Sequence, residues 1–160
     1  MNIVTIRGLD SMKQILLLNG PNLNLLGARE PDIYGTFTLE DIERTVNEVA
    51  QKKGYNVTSV QSNHEGNLID EIQGATGKYE GIIFNPAAYT HTSVALLDAI
   101  LAIEVPVIEV HISNIHQRDS FRRQSLIASA CVGQIVGLGL YGYKLATEAL
   151  IEEIIPKRQK

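Results

Sequence analysis

The apolar run Ile15-Leu16-Leu17-Leu18, followed at once by the polar Asn19 and by Gly20, is the stretch that decides the fold. An uninterrupted apolar run is typical of a strand that is covered on both faces, as in a parallel sheet between two layers of helices. Further short strands are predicted along the chain, at residues 57–60, 81–84, 107–112 and 134–136.

Amphipathic segments separate these strands. Thr38-Leu39-Glu40-Asp41 resembles a capping box, and apolar residues then recur at helical spacing until Gly54 ends the pattern. Helices are predicted likewise at residues 68–73, 93–103 and 145–155. Strands that alternate with helices indicate an α/β protein with a flavodoxin-like, doubly wound sheet of five parallel strands. We expect a single domain over residues 12–156, with an N-terminal extension at 1–11 and a C-terminal tail at 157–160.

The composition excludes several classes of protein. The 160 residues are 44% hydrophobic and 20% charged, and no apolar run reaches the roughly 18 residues that a membrane-spanning helix needs. The formal charge of -4 argues against a nucleic-acid-binding protein, whose binding face is basic. Because Cys131 is the one cysteine and residues 1–12 lack the pattern of a secretory signal, we expect a cytoplasmic protein.

Polar residues gather where three of the predicted strands end. Asn19 follows the first strand, Asn85 follows the third, and His111 lies near the end of the fourth, just before Ser113. In an open parallel sheet, ligands bind outside the carboxyl ends of the strands, near the point where the strand order reverses. The sequence therefore predicts a binding site built from these three strand ends.

The connection between the first strand and the first helix is unusually long. It runs from about residue 20 to residue 37, whereas such connections usually have about 2–6 residues. It carries Arg29, Glu30 and Tyr34 between two glycines, Gly27 and Gly35. This length is typical of a lid over a site and equally typical of a mobile surface loop, and length alone leaves both interpretations open.

Other chemistries of this fold class lack residues that they need. The stretch GLGLYG at 137–142 fits the dinucleotide-binding pattern, but no further strand follows to supply the acid that holds the ribose, so its glycines are interpreted as a tight strand-to-helix turn. Asn19 and Asn85 stand where a phospho-acceptor domain has aspartates, and no lysine follows a strand end to form a Schiff base. The four histidines lack close ligand spacing, so we expect no metal site. A non-catalytic binding module stays open on fold alone.

Seven motifs, taken together and in order, resemble the type II 3-dehydroquinate dehydratase family. They are NGPNLNLLG at 19–27, REPDIYG at 29–35, QSNHEG at 61–66, NPAAYTHTS at 85–93, EVHISN at 109–114, FR at 121–122 and GLG at 137–139. The resemblance covers nearly everything from residue 12 to residue 155. Two departures are Ala87, where the family pattern has glycine, and Ala128-Ser129, where it has Ser-Pro.

The resemblance implies an enzyme that dehydrates 3-dehydroquinate to 3-dehydroshikimate by anti elimination through an enolate, without metal or organic cofactor. By position, Tyr34 would take the proton from C2 and His111 would protonate the departing hydroxyl. Arg29 would stabilise the charge of the transition state, Asn22 would fix a water near the enolate oxygen, and Glu109 would orient its neighbours.

The same resemblance implies a set of substrate contacts and an oligomer. The residues expected to hold the substrate are Asn85, His91, Ile112, Ser113 and Arg122. Asp98 is expected to reach in from an adjacent subunit of a dodecamer built from trimers. Four alternatives stay open. Tyr34 is a lid anchor that only packs against substrate, Asp98 pairs locally on its helix, one of Arg122 and Arg123 is solvated, or the helix at 94–103 faces solvent instead of a trimer partner.

Physical chemistry makes the assignment of a tyrosine base coherent. A free phenol has a pKa near 10, so at neutral pH it is almost entirely protonated. A guanidinium within about 4–6 Å favours the phenolate, and arginine itself stays charged. Arg29 and Arg118 are the candidates for this role beside Tyr34. Anti elimination also requires the base and the acid on opposite faces of the ring, which a tyrosine on the long connection and a histidine at a strand end would supply.

Overall fold

A five-stranded parallel sheet forms the centre of the molecule. The computed structural model describes residues 12–28 and 30–160, and its strands are β1 Lys13–Asn19, β2 Tyr55–Gln61, β3 Gly81–Asn85, β4 Val107–His111 and β5 Gly133–Val136. They lie in the order β2-β1-β3-β4-β5, and every neighbouring pair is parallel. This is the flavodoxin-like arrangement that the apolar runs predict, and the α/β fold class is confirmed.

Helices cover both faces of the sheet. They are α1 Pro31–Tyr34, α2 Leu39–Lys52, α3 Glu65–Gln73, α4 Val94–Leu101, α5 Gly139–Ala149 and α6 Ile155–Arg158, with a π-helical turn, Leu150–Ile154, between the last two. Side chains of α2 and α5 share one core with Ile15 and Leu17, whereas those of α3 and α4 share another with Leu16 and Leu18. Because successive strand residues point to opposite faces, a continuous apolar run serves both cores at once. Within the described residues, no helix is long and apolar enough to cross a bilayer.

The predicted start of α2 is confirmed in its hydrogen bonds. The Asp41 N–H donates to the Thr38 hydroxyl oxygen at 3.2 Å, and the Thr38 N–H donates to the Asp41 carboxylate at 2.8 Å. The two bonds together form the capping box. They end the long connection at a defined residue and so fix where the chain re-enters the packed layers.

One local prediction was wrong. The last long helix begins at Gly139 and not at 145, because the close approach of Gly142 to Ile135 and the full burial of Tyr143 outweigh the low helix propensity of glycine. The connection over 20–37, for which the sequence left a lid and a mobile loop open, contains α1 and a 3-10 turn, Leu23–Leu25. It therefore holds Tyr34 on a helical turn.

The strand order reverses between β1 and β3, and their last residues, Asn19 and Asn85, lie side by side in the register. The chain turns away directly after Asn19, where the Gly20 N–H donates to the Asn85 carbonyl oxygen at 2.7 Å. A Cβ at Gly20 would lie 2.6 Å from the carbonyl oxygen of Pro86. Only glycine therefore lets the two strand ends approach this closely at the carboxyl edge of the sheet.

Replacing Gly20 by alanine is expected to destabilise the fold. The added methyl overlaps backbone that is held by its own hydrogen bonds, and overpacking of this kind costs about 1–3 kcal/mol of unfolding free energy. Gly66→Ala is the matched control, because a Cβ there meets nothing within 4 Å and Gly66 lies in α3. Thermal and urea unfolding should show Gly20→Ala below the parent and Gly66→Ala at or above it. Equal midpoints for the two variants would contradict this account of the strand ends.

Candidate active site

A cavity of about 140 Å³ opens at the carboxyl edge of the sheet, beside the point where the strand order reverses. Its wall comes from the ends of β3 and β4, from the segment after β1, and from the residues that follow β4. Most residues expected from the sequence line it: Asn22, Tyr34, Asn85, His91, His111, Ile112, Ser113, Arg118 and Arg122. The fold thus brings together side chains that lie up to a hundred positions apart in the chain.

Two of the expected residues that the structure describes do not line this cavity. Glu109 is fully buried behind His111, and Asp98 is exposed on α4. Arg29 lies outside the described residues. The resemblance assigns Asp98 to the cavity of an adjacent subunit. In this chain Asp98 lies on an outer face of α4.

A buried carboxylate holds the histidine at the end of β4. The Nε2 of His111 lies 2.6 Å from Oε1 of Glu109, and both side chains are almost completely buried. The hydroxyls of Thr90 and Ser125 donate to the same carboxylate, at 2.5 Å and 2.8 Å. Because an ionised carboxylate only accepts, Nε2 of His111 is the ring nitrogen that donates to it, and Nδ1 is left for other partners.

The surroundings of Glu109 favour its charged form. Burial raises the pKa of this carboxyl, but the hydrogen bond and charge of His111, together with the hydroxyls of Thr90 and Ser125, outweigh burial and lower the pKa below its ordinary value. Glu109 is therefore an anion at neutral pH. A carboxylate in contact with an imidazole stabilises the protonated imidazolium, which is the form that can act as a general acid.

An arginine contacts the tyrosine that lines the cavity. Nη1 of Arg118 donates to the hydroxyl oxygen of Tyr34 at 2.8 Å, and its guanidinium carbon lies 5.6 Å from the centre of the ring. The carbonyl of Arg118 in turn accepts a hydrogen bond from Nε of Arg123 at 2.6 Å. Of the paired arginines, Arg122 lines the cavity and Arg123 is the exposed one. A cation beside a phenol stabilises the phenolate.

His91 is a neutral, oriented side chain. Burial lowers its pKa, and the positive charges of His111, Arg122 and Arg118 act in the same direction, against a raising contribution from the carbonyl of Gln124. Its Nδ1 lies 2.6 Å from that carbonyl oxygen, so Nδ1 carries the proton. Nε2 is then an acceptor, suited to a hydroxyl group of a ligand.

Two residues at the rim of the cavity have left-handed backbone. Ala87 has φ 51°, which explains why glycine is the expected residue there. Asn22 has φ 66°, and its N–H donates to Oδ1 of Asn63 at 3.0 Å. Asparagine tolerates this region better than alanine does.

Sequence reasoning missed the two hydroxyls that hold Glu109. Thr90 stands inside one of the quoted motifs without having been given a role, so its place between Asn85 and Ser93 was a usable signal. Ser125 lies outside all the motifs, and no local pattern marks it.

The glycine pattern at 137–142 is the turn that was expected: the N–H groups of Gly137 and Gly139 donate to the carbonyls of His111 and Ile112. No metal-binding group of three or more His, Cys, Asp or Glu side chains exists among residues 12–28 and 30–160.

Comparisons with known proteins point to one family, in sequence and in structure. The sequence model of the family described as dehydroquinase class II matches residues 13–151. A 3-dehydroquinate dehydratase of Bacillus cytotoxicus is 59% identical over 143 residues, which are 89% of this chain and 98% of the relative. The crystal structure of a type II dehydroquinase from Butyrivibrio crossotus superposes with a TM-score of 0.84 at 47% identity, covering 87% of this chain and 97% of the other. One from Propionibacterium acnes gives 0.84 at 42% identity, covering 88% and 97%.

The charge of Glu109 is expected to make stability depend on pH. Its pKa in the folded state lies below the ordinary 4.5, so its contribution is present above that value and is lost as the pH falls through the folded-state pKa. Urea unfolding of the parent and of Glu109→Gln should differ most at pH 7, and the gap should close in strong acid. Glu48→Gln, on the exposed face of α2, is the control that should show no gap. A gap that widens on acidification would contradict the charged state assigned to Glu109.

Proposed function

Since the chain belongs to the dehydroquinase class II family and has 3-dehydroquinate dehydratase activity, we propose that it forms 3-dehydroshikimate by anti elimination through an enolate, with Tyr34 as base and His111 as acid. Tyr34 removes the proton from C2 of the substrate, next to the ketone, and the electrons move into an enolate. As the enolate collapses, the bond to the C1 hydroxyl breaks and His111 supplies the proton that turns the hydroxyl into water.

The observation that carries this proposal is the pairing of the two groups with opposite charges. Tyr34 contacts the guanidinium of Arg118, and His111 contacts the carboxylate of Glu109. The first contact stabilises a phenolate, which is a base, and the second stabilises an imidazolium, which is an acid. An elimination needs one group of each kind in the same cavity at the same pH.

The enolate requires its own stabilisation, because a proton next to a ketone is only weakly acidic. We assign this task to Asn22, through a water that it would hold near the enolate oxygen, and to Arg29, which lies outside the described residues. Preorganised donors at a developing oxyanion are often the largest contribution to catalysis. Asn22 lines the cavity, and the donation of its backbone N–H to Asn63 fixes its position.

The remaining polar side chains suit a small hydroxylated carboxylate. Arg122 brings a second positive charge to the cavity, and a guanidinium pairs well with a carboxylate. We assign the backbone amides of Ile112 and Ser113 to the same carboxylate, and Asn85 and His91 to the hydroxyls. Nε2 of His91 is an acceptor, as a hydroxyl donor needs.

We further propose that the protein works in the cytoplasm as a dodecamer of trimers, in which Asp98 reaches the cavity of an adjacent subunit. The exposed face of α4 supports this: Val94 and Leu101 are 58% and 65% exposed, and Asp98 lies between them at helical spacing. Exposed apolar side chains on one helix face are typical of a surface that packs against a partner. The unpaired thiol of Cys131 is suited to a reducing compartment.

The oligomer is tested by the mass of the protein in solution. Gel filtration with light scattering should give close to twelve chains, and replacing Leu101 by aspartate should reduce that mass, because a charge would then have to be buried at the contact. Replacing Leu138, an exposed apolar residue directly before α5, by aspartate is the matched control. A mass near that of one chain for the parent protein would contradict both the assembly and the role of Asp98.

The reaction itself is tested by mixing the protein with 3-dehydroquinate and recording the absorbance of the conjugated enone. Tyr34→Phe should lower turnover by about 10²–10⁴-fold, the usual contribution of a general base, while substrate analogues still bind. Tyr141→Phe, in which an exposed tyrosine loses the same hydroxyl, should keep full turnover. If Tyr34→Phe stays active, another group is the base. If the parent forms no enone, the whole function is wrong.

A further inference from the structure

A fully buried tyrosine joins the ends of β1 and β3 beneath the cavity. Tyr143 on α5 has no exposed surface, and its hydroxyl oxygen lies 2.8 Å from Oδ1 of Asn19 and 2.7 Å from Nδ2 of Asn85. Asn19 is fully buried as well, and Asn85 is 3% exposed. These contacts connect residues that are 124 and 58 positions apart in the chain.

The direction of every hydrogen bond in this chain of groups is determined. Oδ1 of Asn19 only accepts, so the single proton of the Tyr143 hydroxyl goes to it. The hydroxyl oxygen is then an acceptor for Nδ2 of Asn85. Burial raises the pKa of Tyr143, so the hydroxyl keeps its proton over the whole working range of pH.

A second contact fixes the other end of the Asn85 amide. Its Oδ1 accepts the N–H of Ala87 at 3.0 Å. If the amide were turned over, its NH₂ group would face the N–H of Ala87, and its oxygen would face a hydroxyl whose proton is committed to Asn19. Both contacts would then be lost, so only one orientation of the Asn85 amide keeps both of its contacts. In that orientation Nδ2 keeps a second N–H that does not go to Tyr143.

We propose that Tyr143 is a positioning residue for substrate binding: it holds the amide of Asn85 so that an N–H donor, and not a carbonyl acceptor, is available to an oxygen of the substrate. This inference rests on the proposed function, because Asn85 lines the cavity as an assigned substrate contact. Tyr143 does not line that cavity. It acts through Asn85 from the opposite side of the strand end.

A tyrosine that only connects α5 to the sheet differs from a positioning residue in which property its hydroxyl affects. A purely structural hydroxyl would change the unfolding temperature and leave the Michaelis constant unaltered. A positioning hydroxyl changes the affinity for substrate, because without it the amide of Asn85 loses one of the two contacts that fix it. A group that must be ordered on binding weakens the complex, since part of the interaction offsets the ordering.

The experiment is a double-mutant cycle in the assembled enzyme, read with the enone assay. Tyr143→Phe should raise KM for 3-dehydroquinate by about 5- to 10-fold, the effect of one lost hydrogen bond, with a smaller change in kcat. Asn85→Ala should raise KM by more. The double variant should match Asn85→Ala alone, because Tyr143 has nothing left to orient. Tyr55→Phe, which removes the hydroxyl of a buried tyrosine at the start of β2, should keep the parent KM.

Two results would overturn the proposal: an unaltered KM in Tyr143→Phe, or effects of the two substitutions that multiply in the double variant. An enzyme that forms no enone at all would instead overturn the proposed function, so the two failures are distinguishable. Should Tyr143→Phe not fold, Asn19→Leu tests the same arrangement. It keeps the size of the side chain and releases the Tyr143 proton, so Asn85 can turn over and KM should rise. It also removes the Nδ2 of Asn19, which is buried without a hydrogen-bond partner among the described residues.

Discussion

The structure depends on one carboxylate that has no exposed surface. The hydrogen-bond donors that this carboxylate needs determine which side chains pack around it. Glu109 sits within β4 and takes hydrogen bonds from Thr90, Ser125 and His111. Removing one partner from a buried charge costs about 3–5 kcal/mol, so the three donors have to be present together. Two of them belong to segments that reach β4 only in the folded chain. The Leu126 N–H donates to the carbonyl of Thr90, which joins those two segments directly. A single buried charge therefore assembles one wall of the cavity.

Another part of the cavity is built on backbone that most residues avoid. Among the described residues, those other than glycine with positive φ are Asn22, Glu30 and Ala87. The first and third line the cavity, and Glu30 immediately precedes the helical turn that carries Tyr34. Each such residue costs on the order of 1–3 kcal/mol and persists only where the surrounding contacts hold it. For Ala87 the contact is its own N–H, which donates to Oδ1 of Asn85. The contact that holds the strained backbone of Ala87 is thus the same contact that orients the amide of Asn85.

Much of the sheet could be predicted from the sequence, because a strand that is buried on both faces is apolar along most of its length. Asn19 and Asn85 are polar residues at the ends of such strands. They indicate in the sequence which edge of the sheet carries the cavity. The start of α5 could not be predicted, since glycine disfavours helices and only the packing of Gly142 and Tyr143 reverses that preference. Ser125 could not be predicted either. Its role is to donate a hydrogen bond to the carboxylate of Glu109, which lies 16 positions away in the chain. No local spacing pattern marks a contact over that separation.

The two side chains that the proposed mechanism assigns as acid and base are held in the cavity by different means. The acid of the proposed mechanism, His111, ends a central strand and is fixed by a buried anion. The base, Tyr34, lies on a single helical turn of the long connection and is held through Arg118. A buried anion keeps its influence because water is excluded, whereas a half-buried arginine beside a phenol is partly screened. In the proposed mechanism, the contact that supports the acid therefore does not depend on substrate. In the proposed mechanism, the attraction between Arg118 and Tyr34 strengthens when substrate displaces water from the cavity, which couples proton abstraction to binding.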